Sequence, residues 1–165
     1  PFLIKCPGNI APGTVSDELI MNIDFAPTLL DFAGLSIPNG MQGKSFKNTF
    51  TEQNELNRKG VYYHYYEYPI WHKVQPHYGI RTHKYKLIHF YYSMDEWELY
   101  DLESDPNELN NIYDLADTNL ISNLKQKLDS LKILYNDTAT IEEMKLMTDT
   151  VIKRVYNEPA KDLKN

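Results

Sequence analysis

Residues 76–102 read PHYGIRTHKYKLIHFYYSMDEWELYDL, and this stretch decides the fold. Ten of the chain's thirteen tyrosines lie between positions 62 and 100, and tyrosine favours strands because its ring packs while its hydroxyl stays in contact with water. The pattern predicts strands at about 78–82, 85–92 and 97–102, with turns at 83–84 and 93–96. Turns this short join antiparallel neighbours, so we expect a meander, with a further strand at 61–67.

Two helices are predicted after the sheet. The first carries an apolar stripe at helical spacing, opposite a side rich in lysine, glutamine and aspartate, and the stripe consists of Leu120, Ile121, Leu124, Leu128 and Leu131. A helix with one apolar side is expected to lie on a face of the sheet. The second helix begins with Thr140 and Glu143, the spacing of a capping box, and is predicted to continue to residue 157.

The segment before the sheet holds a third predicted helix, in the sequence NIDFAPTLLDFAG at residues 22–34. Asp24 is expected to cap its amino end, Pro27 falls in the first turn, and Gly34 is expected to end it. Residues 35–59 are predicted to be mostly loop. Residues 2–4, FLI, indicate a short buried strand, which needs a neighbour. We therefore expect this chain to be part of a longer protein.

Composition excludes several classes of function. The chain has 165 residues, 42% of them apolar, and no apolar run approaches the length of a membrane span, so membrane insertion is not expected. A formal charge of −6 argues against a general nucleic-acid binder, which would be basic. Cys6 is the single cysteine, so the chain cannot form an intrachain disulfide.

Neither Cys6 nor the histidines form a motif for catalysis or metal binding. A nucleophilic cysteine needs nearby positive charge, and the adjacent Lys5 would point to the other face of a strand. The histidines lie at positions 64, 72, 77, 83 and 89, a spacing unlike the close pairs of zinc sites. We therefore predict no catalytic residue and no metal ligand in this chain.

The loop EYPIWHKVQPHYGIR, residues 67–81, is basic and aromatic within an acidic chain. It carries Trp71, His72, His77 and Arg81, and arginine offers a planar fork of donors to anions while histidine bonds hydroxyls or sulfate oxygens. These residue types suit an anionic or polar ligand such as a charged sugar. The alternative is a plain sheet surface whose basic side chains pair with acidic neighbours at Glu67, Asp95 or Glu98. The composition alone leaves both interpretations open.

Three blocks in this order, PFLIKCPGNIAPGTVSDELIMNIDFAPTLLDFAGLSIPNGMQGKSF, YGIRTHKYKLIHFY and EWELYDLESDPNELNNI, resemble the carboxyl-terminal part of type I sulfatases. These enzymes belong to the alkaline-phosphatase-like superfamily, and the resemblance covers residues 1–138. It implies an α/β fold: residues 1–59 end a large mixed-sheet catalytic domain, and residues 60–138 form a small α+β domain. That small domain has a four-stranded antiparallel sheet and a packed helix, while residues 139–165 add a helical tail.

The resemblance also implies the chemistry of the parent enzyme, which hydrolyses sulfate esters. The family uses calcium and a formylglycine made from cysteine or serine in a C/S-x-P-x-R motif, and both lie outside this chain. Cys6 lacks that context, so the chain alone is expected to be inactive. Its partners would be the amino-terminal sulfatase domain and a sulfated carbohydrate.

In the family, the loop before the G-[IV]-R-T strand faces the substrate cleft, which points first to His77, then to His72, and third to Arg81. The sequence HKVQPHYGIRT, residues 72–82, resembles the corresponding segment of bacterial enzymes acting on 6-O-sulfated N-acetylglucosamine or related glycosaminoglycan sugars. The family further implies a periplasmic or extracellular location. Two alternatives are a phosphoesterase or phosphotransferase of the same superfamily, with a two-zinc site upstream, and a non-catalytic carbohydrate-binding module.

Overall fold

A computed structural model describes residues 2–50, 56–69 and 72–157. The chain forms two compact units, residues 1–61 and residues 62–165. The helices are α1 (Phe25–Phe32), α2 (Thr118–Leu134) and α3 (Ile141–Asn157), and the strands are β1 (Val61–Tyr65), β2 (His77–Arg81), β3 (Tyr85–Phe90) and β4 (Glu96–Asp101). Within the described ranges, no helix combines the length and hydrophobicity that crossing a membrane requires.

The four strands form one antiparallel sheet in the order β1-β2-β3-β4, as the sequence predicts. His77 lies opposite Phe90 across β2 and β3, and Tyr85 lies opposite Asp101 across β3 and β4. The predicted strands are therefore confirmed, with β1 and β3 two residues shorter than expected. The tight turn between β2 and β3 is closed by Thr82, whose backbone N–H donates to the Tyr85 carbonyl at 2.8 Å.

The core of the second unit lies between one face of the sheet and helices α2 and α3. Leu124 and Leu128 of α2 and Met144 of α3 are almost completely buried there, so the predicted leucine stripe is confirmed. The sheet contributes Tyr62, Tyr78, Ile80, Leu87, Tyr91 and Leu99. The capping box that starts α3 is also confirmed, since the Thr140 N–H donates to the Glu143 carboxylate at 2.8 Å and the Glu143 N–H donates to Thr140 Oγ1 at 3.2 Å.

The chain after β4 folds back along the outer edge of that strand. The Asn111 side chain accepts a hydrogen bond from the Leu99 N–H at 3.0 Å and donates one to the Trp97 carbonyl at 3.2 Å. The Ile112 N–H donates to the Leu99 carbonyl at 2.9 Å. These bonds satisfy backbone groups that an edge strand would otherwise leave open to another chain. Asn111 and Ile112 of the ELNNI segment therefore cover this edge of the sheet.

In the first unit, α1 ends as the sequence predicts. Gly34 has a φ of +70°, and the Leu35 N–H donates to the Leu30 carbonyl at 2.9 Å, which together form a Schellman ending. The amino end differs from the prediction. Asp24 occupies the position before α1, but its carboxylate makes no capping bond to that helix and instead binds Arg58 and the Lys44 N–H. The Asp24 carboxylate binds the buried Arg58 guanidinium in preference to the helix amides, because a hydrogen bond between opposite charges is stronger than one to a neutral amide.

The predicted strand at residues 2–4 is wrong. These residues have no regular structure, and the described part of the first unit contains no strand other than the start of β1. Without a neighbouring strand, extended backbone cannot form ladder hydrogen bonds. The Phe2 ring instead stacks on Phe25 of α1, with 4.9 Å between the ring centroids, while the Leu3 side chain is exposed.

Candidate functional site

His77 lies at the start of β2 with its ring packed among aromatic neighbours. Its ring stacks on Tyr65 at 5.3 Å between centroids, contacts Phe90 at 5.0 Å and meets Tyr63 edge-on at 6.0 Å. Its Nδ1 atom lies 2.8 Å from the backbone carbonyl of Gln75. The ring is therefore held from several sides at the carboxyl end of the basic loop, which gives a binding group the fixed orientation it needs.

Arg81 and His72 are both exposed. Arg81 is four residues after His77 on β2, so both side chains leave the same face of the strand, about 13 Å apart along it. His72 lies in the loop before β2. In the described part of the chain no hydrogen bond or ion pair joins these three side chains to one another, and Trp71 lies outside the described residues.

The alternative, in which the basic residues serve only to pair with acidic neighbours, applies to other positions. Lys86 contacts Glu108 at 2.5 Å, and Lys84 contacts Glu103 at 2.8 Å. Among the described residues, Arg81 has no such partner. Of the three acidic side chains that the sequence offered as partners, Asp95 bonds His89 and Glu98 accepts from Tyr100. The third, Glu67, forms no ion pair with Arg81 among the described residues.

Gly79 lies between His77 and Arg81 and lets a tyrosine approach the strand. A Cβ atom on Gly79 would lie 2.6 Å from the hydroxyl of Tyr63 and 2.4 Å from the Leu87 carbonyl oxygen, so no larger residue fits. The hydroxyls of Tyr63 and Tyr65 are both buried and have no hydrogen-bond partner in the described ranges. Burial, followed by the nearby Glu108 and Glu98 carboxylates, raises the pKa of the Tyr63 phenol, which therefore stays protonated.

The sequence did not indicate roles for His64 and His89, which lie on the opposite face of the sheet. His64 Nδ1 is 2.7 Å from Asp137 Oδ2, and its Nε2 is 2.9 Å from the Tyr91 hydroxyl. His89 bonds Tyr78 at 2.8 Å and Asp95 at 2.7 Å. His89 is buried and His64 is half-buried, and both nitrogens of each ring have a hydrogen-bond partner. These bonds join the sheet to Asp137 after α2 and to Asp95 before β4. The sequence did contain a signal for this: His64 and His89 each lie two residues from a core tyrosine, Tyr62 or Tyr91, and residues two apart on a strand share a face.

Burial lowers the pKa of His64, and the Asp137 carboxylate opposes this only in part. Burial alone would raise the pKa of Asp137, but hydrogen bonds from Tyr62 and His64 lower it overall. A neutral His64 satisfies the arrangement, because Nδ1–H donates to Asp137 while the Tyr91 hydroxyl donates to Nε2.

We therefore expect the free energy of unfolding to fall as the pH is lowered from about 7 to 5. The unfolded chain takes up a proton near pH 6.5, whereas folded His64 takes it up only at lower pH. His64→Asn keeps a donor for Asp137 and should show a shallower decline, measured by urea unfolding followed by tryptophan fluorescence. His83→Asn, at an exposed turn position, is the control. Equal slopes for His64→Asn and the unsubstituted chain would contradict this account.

The described residues do not form a metal centre. Nowhere in ranges 2–50, 56–69 and 72–157 do three histidine, cysteine, aspartate or glutamate side chains come together as a metal site would require. Cys6 is partly exposed, and the neighbour that contacts its sulfur is Asn9, whose side-chain nitrogen is 3.5 Å away. These residues fit neither the calcium site nor the formylglycine motif of sulfatases, so no reaction step is assigned to them.

Comparison with known proteins gives a consistent result. Residues 1–133 match the family described as N-sulphoglucosamine sulphohydrolase, C-terminal. The chain is 46% identical over 141 residues to an N-acetylglucosamine-6-O-sulfatase of Bacteroides thetaiotaomicron, covering 83% of this chain and 25% of that protein. It is 35% identical over 147 residues to an arylsulfatase of Clostridium perfringens, covering 87% of this chain and 28% of the relative.

A solved structure agrees with the fold. It contains an enzyme in complex with its substrate D-glucosamine-2-N,6-O-disulfate, and it matches 83% of this chain with a TM-score of 0.78 and 45% identity. This chain covers 28% of that one. The chain spans about a quarter of the length of the two curated relatives named above.

Proposed function

Because this chain belongs to the sulfatase family, matching its carboxyl-terminal region, we propose that it is the substrate-recognition part of an enzyme that hydrolyses sulfate esters of glycans. The proposed substrates are 6-O-sulfated N-acetylglucosamine or related glycosaminoglycan sugars. The likeness to an N-acetylglucosamine-6-O-sulfatase over most of this chain carries the proposal. Residues 1–59 would end the large catalytic domain, residues 60–138 would form the small domain, and residues 139–165 would add a helical tail.

The role of this chain in such an enzyme would be to hold the sugar. The parent's calcium ion and formylglycine would supply the nucleophilic chemistry from outside the chain. Arg81 has no acidic partner among the described residues, and its guanidinium is a fork of donors that fits sulfate or carboxylate oxygens. His77 offers a ring fixed by its neighbours, and His72 offers an exposed donor on the adjacent loop. All three lie on or before β2, with His77 and Arg81 on one face of the strand about 13 Å apart, so they would contact separate parts of a ligand.

The proposal is tested by assaying the full-length protein that carries this chain with two esters of one sugar. We expect sulfate release from N-acetylglucosamine 6-sulfate and at least about a hundredfold lower kcat/KM for phosphate release from the 6-phosphate, since the extra charge of a phosphate monoester changes what the site must bind. Faster hydrolysis of the phosphate would favour the phosphoesterase alternative. Binding of the sulfated sugar without release from either ester would favour the carbohydrate-binding module.

A further inference from the structure

The histidine at position 77 has one ring nitrogen occupied and one free. Nδ1 lies 2.8 Å from the Gln75 carbonyl oxygen, and Nε2 has no hydrogen-bond partner among the residues that the structure describes. A carbonyl oxygen can only accept a hydrogen bond, so Nδ1 must carry the proton. In the neutral ring, Nε2 then has a lone pair and no hydrogen. In that neutral form the free nitrogen of His77 is an acceptor.

The carbonyl that sets this tautomer is itself fixed. The side-chain oxygen of Gln75 accepts a hydrogen bond from Ser93 Oγ at 2.7 Å and a longer one from the Ser93 N–H at 3.5 Å. The next residue, Pro76, accepts a hydrogen bond from the Tyr91 N–H at 3.3 Å. Ser93 belongs to the turn after β3, so the end of the basic loop is tied to a rigid neighbour of β2.

The aromatic neighbours remove the remaining freedom of the ring. The ring of Tyr65 is nearly parallel to that of His77, with 22° between the ring planes. Phe90 lies directly opposite His77 across β2 and β3, and its ring plane is tilted by 43° from that of His77. A rotation about the ring axis would break the Gln75 bond and leave the carbonyl unpaired. Tyr63 and Tyr65, whose rings both contact His77, carry buried hydroxyls. Within the described residues these two hydroxyls have no hydrogen-bond partner.

We propose that His77 recognises the sugar through Nε2 as a hydrogen-bond acceptor, and that Gln75 and Ser93 are positioning residues that fix its tautomer. This inference rests on the proposed function. The group bound would be a donor, a ring hydroxyl or the amide N–H of an acylated amino sugar. A sulfate oxygen carries no hydrogen, so it does not pair with neutral His77. Cationic groups such as Arg81 would then bind the sulfate, while His77 would form a hydrogen bond with the sugar itself.

The test uses the full-length enzyme and the kinetics of N-acetylglucosamine 6-sulfate. Ser93→Ala removes the hydroxyl that holds Gln75, and we expect KM to rise about three- to tenfold with kcat nearly unchanged, because binding geometry and not chemistry is altered. Ser93→Thr, which keeps the hydroxyl, should restore the original KM. Thermal unfolding of each variant is the control for a purely structural effect, since Ser93 is exposed.

The identity of the bound donor is tested with analogues of the same sulfated sugar that each lack one hydroxyl or the amide N–H. His77→Phe keeps the stacked ring and removes the acceptor, so it should lower kcat/KM about tenfold on every substrate except one. On the analogue that lacks the recognised donor, His77→Phe and the unsubstituted enzyme should be equal, as a double-mutant cycle requires.

The outcomes separate the two proposals. If the full-length protein releases no sulfate, the proposed function fails. If it releases sulfate but His77→Phe leaves kcat/KM unchanged on all substrates, the recognition role of His77 fails while the proposed function stands. If His77→Phe is defective but Ser93→Ala equals the unsubstituted enzyme, the positioning role fails while the recognition role stands. If the defect of His77→Phe is the same on every analogue, the acceptor role is wrong.

Discussion

Replacing Asp24 by alanine is expected to lower the free energy of unfolding of the first unit by about 3–5 kcal/mol. Its carboxylate is completely buried and lies 2.5 Å and 2.9 Å from the two terminal nitrogens of Arg58. It also accepts hydrogen bonds from the Met21 N–H at 2.7 Å and the Lys44 N–H at 2.8 Å. Alanine would leave the buried Arg58 guanidinium without its counter-charge, although the Leu19 carbonyl still accepts from Nη1 at 2.7 Å. It would also remove the acceptor of two backbone donors, which is the costly way to break such a pair.

The pKa of Asp24 supports the same view. Burial alone would raise it, but the Arg58 hydrogen bonds and the two backbone donors lower it overall, so the carboxylate stays charged in the folded state. This contribution to stability is present above the unfolded pKa of an aspartate, about 3.9, and is lost as the pH falls through the lower folded value. Asp24→Ala should therefore lower the free energy of unfolding by its full amount at neutral pH.

The matched control for Asp24→Ala is Asp31→Ala in the same unit. Asp31 pairs with Lys47 at 3.1 Å and accepts a hydrogen bond from Ser45 Oγ at 2.6 Å. Because the side chains of Asp31 and Lys47 are about one-third exposed, the loss is expected to be only about 1 kcal/mol. Hydrogen exchange of the α1 amides reports the opening free energy of this unit for both variants. Equal losses for the two substitutions would contradict the assignment of Asp24 and Arg58 as the central link of the first unit.

The second large effect is expected in catalysis by the full-length enzyme. If the proposed function is right, His77→Ala should reduce kcat/KM for N-acetylglucosamine 6-sulfate by about 10- to 100-fold, because it would remove the proposed hydrogen bond between the His77 ring and the sugar. His83→Ala is the control, since His83 is exposed in the turn between β2 and β3. It should stay within about twofold of the unsubstituted enzyme, as expected of a substitution without a substrate contact. A similar loss for both variants would indicate a general effect of removing histidines from this sheet.

The sequence predicts the second unit well because local signals agree there. Tyrosine-rich strands, short turns and the leucine stripe of α2 each indicate the same antiparallel sheet covered by a helix. The capping box of α3 and the glycine ending of α1 are likewise set by residues within a few positions of each other. Such features depend on neighbours along the chain, which the sequence displays directly.

The features that sequence analysis missed depend on distant residues. Asp24 looks like a helix cap until Arg58, 34 positions away, competes for its carboxylate. His64 looks like one more polar strand residue until Asp137, from the turn between α2 and α3, reaches it. For the candidate site, the sequence indicated His77, His72 and Arg81, but not the hydrogen bonds that Gln75 makes to His77 and to Ser93. Those bonds join separate turns across the sheet.

The most direct test of the central claim compares two substrates with the variant His77→Ala in the full-length enzyme. If this chain binds the sugar and contributes no reacting group, kcat/KM should fall about 10- to 100-fold on N-acetylglucosamine 6-sulfate and stay within about twofold on a small aryl sulfate that has no sugar. Parallel losses on both substrates would contradict the claim, because they would place His77 in the machinery that breaks the sulfate ester.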